Sequence, residues 1–457
     1  MRQKITQLAQ KLRRSKDGSV AAYVGLSIVV LVGAVGISID AGRGYLVQSK
    51  LSSALDAAGL AAASTVNTSN LRTDARKFLD VNFQNYLSSK ITDVTITTNS
   101  SNTVIGLSAK ASLPTTFMTL FGFKQMNIAA SSEITRAVSG LELALVLDTT
   151  GSMAGTPLTS LKTAANDLLD ILFGANSSND KLWVGIVPFA QAVNIGTSHP
   201  TWMDTTYGAS LDWGPTSWLG CVDARSGGYD STDDTAATKK FQAYYWPNDT
   251  GANKWIVKGK YQSPLNTTKL GPNLYCSSEV QPLTNNKASL VSKINSLSAV
   301  GATHVNLGAV WGWRMLSPKW RGQWGGTMNT NNLPLDYNTP RMNKAVILMT
   351  DGENTMYADS VNRSAYGYLS EKRLGSNVIA TAEAELNKRL ATVCTSMKNN
   401  NIIVYTIGFN KPGATISKLL KDCATQPEYY FDSPTGAELQ AAFRAIGDSL
   451  SNLRVSR

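Results

Sequence analysis

Asp148, Thr150 and Ser152 alternate in a stretch that begins as a nearly unbroken apolar run, Leu141 to Leu147. The run stops abruptly in an acid, two hydroxyls, a glycine and a further hydroxyl. A short, almost continuous apolar segment is what a parallel strand buried on both faces requires. The polar residues then fall in the loop at its carboxyl end, where open α/β sheets place their ligand sites. Alternation lets the three oxygen-bearing side chains turn toward one point. Neutral hydroxyls together with a carboxylate suit a hard divalent cation, Mg²⁺ first, with Ca²⁺ or Mn²⁺ as alternatives. A helix is expected to start near Thr156-Pro157, with the proline in its first turn.

Two more segments have the same character. Gly301-Ala302-Thr303-His304 precedes a helical pattern, and Ala345 to Met349 is an apolar run that ends in Thr350-Asp351-Gly352-Glu353. Other chemistry finds little support. The chain has no Walker loop, no GxGxxG after a strand, no HExxH and no GxSxG. Of the two histidines, His199 and His304, the second is expected to support the Thr303 loop and not to act as a base. Glu353 is read as rim charge.

The elements that must position these residues alternate in type. Strands are expected at 141–147, 182–187, 345–349, 402–407 and 429–431. Helices are expected at 159–173, 287–297, 307–316, 380–398 and 437–453. Such alternation implies a mostly parallel sheet covered on both faces. Asp432-Ser433 is read as the cap of the last helix, with Pro434 in its first turn. Residues 195–285 break the rhythm and are too long for a simple loop. They hold Trp202, Trp213, Trp218, Trp246 and Trp255, and are read as an insertion that is either a packing lid or a ligand-contact surface.

Gly18 to Ile39 contains no charged residue, a stretch of about 22 residues that reaches about 33 Å as a helix, enough to cross a bilayer. Arg2, Lys4, Lys11, Arg13, Arg14 and Lys16 precede it. The positive-inside rule puts residues 1–17 in the cytoplasm and the bulk outside. The rival reading, a cleaved signal peptide, would have a shorter apolar core and a small-residue cleavage site. Gly18 is placed as in prepilin processing sites, but Tyr23 stands where those sites have an acid. Beyond the span, Leu46, Leu51, Leu55 and Leu60 form an apolar stripe, and 72–88 reads as a second helix carrying Phe78, Leu79, Val81, Phe83 and Leu87. Val94–Thr97, Val104–Leu107 and Ile128–Ile134 read as strands, the first two joined by a turn at Asn99–Asn102.

The formal net charge is +11, but outside the N-terminus the basic residues are scattered, which argues against nucleic acid as a partner. The 4 cysteines, Cys221, Cys276, Cys394 and Cys423, form no CxxC pair, and with only 2 His this argues against a Cys/His zinc site. Outside the cytoplasm an even count favours two disulfides in one of three pairings, against the alternative of buried thiols. Pairing of neighbours, Cys221 with Cys276 and Cys394 with Cys423, is preferred because each pair shares a local region.

Taken in order, the segments at Asp148–Ser152, Thr303 and Asp351 resemble a von Willebrand factor A domain with its metal-ion-dependent adhesion site. The resemblance implies that Asp148, Thr150, Ser152, Thr303 and Asp351 ligate the ion, with Thr150 in place of the usual Ser. It also implies an open coordination position for a partner's acidic side chain. The N-terminal pattern Gly18–Ala63, with Asp40-Ala41-Gly42-Arg43 and Leu55-Asp56-Ala57-Ala58, resembles TadE/TadG-type pilus-assembly proteins, as do Tyr405–Phe409 and Leu439–Arg454. These likenesses imply a domain order: 1–17 cytoplasmic tail, 18–39 transmembrane helix, 40–137 TadE- or pilin-like α+β module, 138–194 and 286–457 von Willebrand A domain, 195–285 inserted aromatic subdomain. The expected fold class is α/β, a doubly wound, Rossmann-like sheet interrupted by the insertion. The expected protein is a non-enzymatic, single-pass component of a bacterial inner membrane, with its bulk periplasmic or extracellular. It serves Tad (Flp) pilus assembly or adhesion. Its partners would be other pilus or envelope proteins, or a surface ligand that supplies an acid. Two other classes stay open: an accessory subunit of a chelatase-like machine, and a metal-dependent hydrolase.

Overall fold

The computed structural model describes residues 17–64, 71–98, 104–135, 139–249, 251, 253–265 and 269–455. The basic residues 2–16 and the expected turn at Asn99–Asn102 lie outside these. The chain divides into two compact units, Met1–Ala137 and Val138–Arg457.

In the first unit one 48-residue helix, α1 (Asp17–Ser64), runs through both the apolar span and the segment after it. No proline or break interrupts the sequence, so the span and the following helix are continuous. Leu26 and Val29 are 73% and 67% exposed, as are most of the apolar side chains near them. Further along, Val47, Leu51, Leu55, Ala58 and Ala62 form the buried stripe. Leu46 and Leu60 fall outside it, because the helical spacing that keeps Leu51 and Leu55 inward turns those two to solvent. The stripe packs on α2 (Leu71–Phe83), through Ala75, Leu79 and Phe83, and on an antiparallel sheet. Phe78 and Val81 of α2 are exposed. The sheet has the order β1 (Lys90–Thr98), β2 (Val104–Pro114), β3 (Gln125–Thr135). In β2, Ile105, Leu107, Ala109, Ala111 and Leu113 alternate inward, the two-residue period of a strand with one buried face.

The second unit is built on β4 (Gly140–Asp148), α3 (Thr156–Phe173), β5 (Leu182–Phe189), β6 (Gln281–Thr284), α4 (Lys287–Ser296), α5 (Val305–Leu316), β7 (Met342–Thr350), α6 (Ile379–Asn399), β8 (Ile402–Phe409), α7 (Ala414–Cys423), β9 (Tyr430–Ser433) and α8 (Gly436–Val455). The sheet order is β6-β5-β4-β7-β8-β9, parallel except for β6. Every residue of β4 is buried. Leu141, Leu143, Leu145 and Leu147 face α3, α4 and α8. Ala144 and Val146 face α5, α6 and the insertion. Glu142, on that second face, is neutralised by Lys344 of β7 and accepts the Leu335 N–H at 2.8 Å.

Three features depart from the expected pattern, and a fourth decides between two readings. Gln281–Thr284, placed within the insertion by sequence, is the antiparallel edge strand of the main sheet. Helix α7, which carries Cys423, was not expected from the sequence pattern. Helix α8 is capped by Thr435, whose N–H and hydroxyl both meet Glu438 at 2.9 Å; Ser433 belongs to β9. The aromatic residues of the insertion are mostly core. Trp202, Trp246 and Trp255 are at most 2% exposed, and Trp202 packs edge-on against Trp320 with ring centres 4.9 Å apart. Burial of this extent supports the packing role for those three and removes them as a contact surface; Trp213 and Trp218 are only partly covered. The disulfides are Cys221–Cys276, which closes the insertion, and Cys394–Cys423, which joins α6 to α7.

Candidate metal centre

The central strands β4 and β7 are adjacent and parallel, so their carboxyl ends release Asp148 and Asp351 side by side. Asp148 is fully buried. Its Oδ1 accepts the Thr150 N–H at 2.8 Å, and its Oδ2 accepts the Thr350 hydroxyl at 2.6 Å. Thr150 Oγ1 lies 3.0 Å from Ser152 Oγ, which donates to Asp351 Oδ1 at 2.8 Å. Four of the five expected donors are thus linked in one chain of hydrogen bonds. Thr149, between them, turns the other way and donates its N–H and its hydroxyl to the Phe189 carbonyl, at 2.9 and 3.0 Å.

Thr303 reaches the same place from another loop. The Gly151 N–H donates to the Gly301 carbonyl at 2.8 Å, and the Val300 N–H to the Thr149 carbonyl at 2.8 Å. Gly301 has φ +66°, and a Cβ there would lie 2.8 Å from Tyr275 Cβ. Glycine is the residue that meets both demands. Thr303 is held by a pair of hydrogen bonds with Thr355, each 3.0 Å long. Its hydroxyl lies beside Gly352, 4.0 Å from where a side chain on that glycine would begin.

Both acids are shifted in the same direction. Burial, and then the facing charge of Asp351, pushes Asp148 up to about 7. Burial likewise raises Asp351. Among the described residues neither acid has a lysine or arginine as an ion-pair partner, nor does any group of three or more His, Cys, Asp or Glu surround an ion position. The five expected donors would together offer two carboxylates and three hydroxyls. Oxygen donors of this kind, with uncompensated negative charge, fit a hard divalent cation. Two carboxylates would balance the formal charge of such an ion, so a further acid would be held by an open coordination position at the metal and not by net charge.

Two supporting residues, Asn354 and Gln191, carried no recognisable sequence signal, and a third, Thr350, stood in the Thr-Asp-Gly motif without an assigned role. Thr350 orients Asp148. Asn354 caps α5 by accepting the Val305 N–H at 2.7 Å. Gln191, fully buried, accepts the Ala302 N–H at 3.0 Å and donates to the Arg363 carbonyl at 2.6 Å and to Tyr244 Oη at 2.9 Å. It ties the Thr303 loop to the insertion. His304 is fully buried, with neither ring nitrogen hydrogen-bonded, and burial pushes it down to about 3. It supports the loop through its backbone: its N–H meets the Ala190 carbonyl at 3.3 Å. Glu353 is exposed, with its carboxylate packed against Gly413.

Residues 18–65 match the family described as "Putative Flp pilus-assembly TadE/G-like". The N-terminal segment is TadE/G-like. No curated protein matches the chain. Among solved structures, this chain is similar to the von Willebrand domain of the type V pili tip protein Mfa5 from Porphyromonas gingivalis. That match has 12% identity and a TM-score of 0.37, over 70% of this chain and 97% of the other. The pilus adhesin SpaC from Lactobacillus rhamnosus GG matches at 12% identity and a TM-score of 0.35, over 79% of this chain and 34% of SpaC. Proximal thread matrix protein 1 from the mussel byssus, with a zinc-occupied MIDAS motif, matches at 11% and 0.32, over 70% of this chain and 47% of the other. This chain therefore spans about a third of SpaC and about half of the byssus protein.

Proposed function

We propose that this chain is a single-pass, non-enzymatic membrane component of a Tad (Flp) pilus system, and that its sheet unit grips an acidic side chain of a partner through a divalent cation. Asp148, Thr150, Ser152, Thr303 and Asp351 would hold the ion, with Mg²⁺ the preferred occupant. The partner is another pilus or envelope protein, or a surface ligand. The basic residues 2–16 before the apolar span favour a cytoplasmic N-terminus, with the sheet unit on the outer side.

One observation carries this reading. Two buried carboxylates from adjacent strand ends share a hydrogen-bonded set of hydroxyls and, among the described residues, have no cationic side chain to offset them. A divalent ion bound there would supply a coordination position for a partner carboxylate. The protein's own part is to hold five oxygens rigidly while Thr350 and Gln191 keep the loops in register.

The test is Mn²⁺ titration of the purified full chain, followed by electron paramagnetic resonance. The parent should bind one ion, and Asp148→Ala should lose that binding. Equal binding by both would refute the site. In cells lacking the gene, Asp148→Ala should reach the membrane and fail to restore surface pili where the parent restores them.

A further inference from the structure

We propose that the loop between β2 and β3, residues 115–124, is a second membrane-inserting element, which lies against α1 and buries Leu120, Phe121 and Phe123 in the lipid of the outer leaflet. The proposal rests on reading residues 18–39 as the membrane span.

The loop docks on the apolar part of the helix, beyond its sheet-packing part. A Cβ added to Gly36 would lie 2.6 Å from Phe117 Cβ, and one added to Gly33 would lie 3.0 Å from Phe121 Cζ. The two glycines therefore allow a close approach that a larger residue would block. Gly33, Gly36, Asp40 and Gly44 continue the same helix face that Val47 and Leu51 present to the sheet. From Asp40 back to Gly33 the helix rises about 10 Å. The loop tip therefore sits about a third of the way into a hydrocarbon core of about 30 Å.

Its side chains suit that depth. Leu120, Phe121 and Phe123 are 78%, 54% and 60% exposed, and Phe121 lies against Gly33 of α1, in a stretch where Leu31, Val32 and Val35 are exposed too. Three large apolar side chains in water would be costly, and contact with the span identifies lipid as what covers them. Arg43 and Lys124 flank the loop where it would leave the hydrocarbon.

The backbone is also prepared. Irregular backbone is tolerated at membrane depth only where protein groups satisfy it. The Asp40 carboxylate accepts the N–H groups of Thr116, Phe117 and Met118, at 2.7 to 3.1 Å. Thr115, Leu120, Gly122 and Phe123 donate to carbonyls within the loop. Asp40, the first acid after the apolar span, thus works as an anchor for the loop and is itself 1% exposed.

The four native cysteines are disulfide-bonded, so a single introduced cysteine can carry a nitroxide label. The full chain is labelled at Leu120→Cys, Phe121→Cys, Val29→Cys or Val81→Cys and placed in vesicles of phosphatidylethanolamine and phosphatidylglycerol. Val29 lies within the span, and Val81 is an exposed position on α2. Collisions with oxygen and with a water-soluble nickel chelate are then compared. Labels at positions 120 and 121 should lose chelate collisions and gain oxygen collisions, as the label at 29 does. If positions 120 and 121 meet the chelate as freely as position 81 while 29 stays protected, the span stands and the proposal is overturned. If position 29 is also open to the chelate, the span and the proposal fall together.

Discussion

Asp351→Asn separates a metal ligand from a structural carboxylate, because the amide keeps the shape and still accepts from Ser152. At pH 8 in chelator the parent must hold Asp148 ionised, although burial and Asp351 push it up to about 7 from 3.8. At about 1.4 kcal/mol per pH unit, that costs on the order of 4 kcal/mol. Burial is the larger cause and Asp351 the second, so removing the Asp351 charge should recover part of that cost. With chelator present the variant is therefore at least as stable as the parent. Mg²⁺ at about 100 times its dissociation constant should stabilise the parent by about 2.7 kcal/mol. For a unit of this size that raises Tm by about 5 °C. The variant should show almost none of this increment. The assay is scanning calorimetry of both proteins in EDTA and in Mg²⁺. The pH dependence has a definite sign. An acid raised in the folded state binds an extra proton between its unfolded and folded pKa, so the metal-free parent loses stability as pH rises from about 4 to 7. An equal Mg²⁺ increment in the variant would refute the reasoning. So would a variant that falls well below the parent in EDTA, since that would make Asp351 a structural acceptor.

Gly301→Ala places a Cβ at positive φ against Tyr275 and should cost about 1–3 kcal/mol. Chemical denaturation should register that loss, and Mn²⁺ affinity should fall with it; unchanged affinity would show that the Thr303 loop does not shape the site. The two histidines should titrate differently, as read by ring-proton NMR on a chain without a histidine tag. His199, stacked 3.9 Å from Trp202, is lowered by burial and should titrate below 6.5; His304, pushed down to about 3, should stay neutral throughout the physiological range. A base lowered in the folded state stabilises above its unfolded pKa, and this contribution is lost as pH falls below about 6.5, by at most about 1.4 kcal/mol per pH unit for each histidine. Two signals that titrate together near 6.5 would contradict the burial argument.

The sequence by itself determined the elements and the ends of the strands. A strand covered on both faces must be apolar at every position, so the point where Leu147 gives way to Asp148, or Met349 to Thr350-Asp351, marks the sheet's carboxyl edge. A helix in lipid must be apolar all round, so residues 18–39 stood out without any partner. Neighbouring cysteines indicated their own pairing through proximity along the chain. What covers an apolar face is a different matter, because local periodicity records that a side is buried and not what buries it. Leu46 and Leu60 looked equivalent to Leu51 until the packing of α2 and the small sheet fixed the helix face. The tryptophans of the insertion could be a packing lid or a contact surface until Trp320, from beyond the insertion, was seen to pack on Trp202. Gln191, Thr350 and Asp40 act through hydrogen bonds to groups brought near only by the fold, up to 202 residues apart in the case of Thr350 and Asp148. Partners that distant leave no pattern in a linear sequence, even where the residue itself stands in a quoted motif as Thr350 and Asp40 do, and only the tertiary structure could assign them.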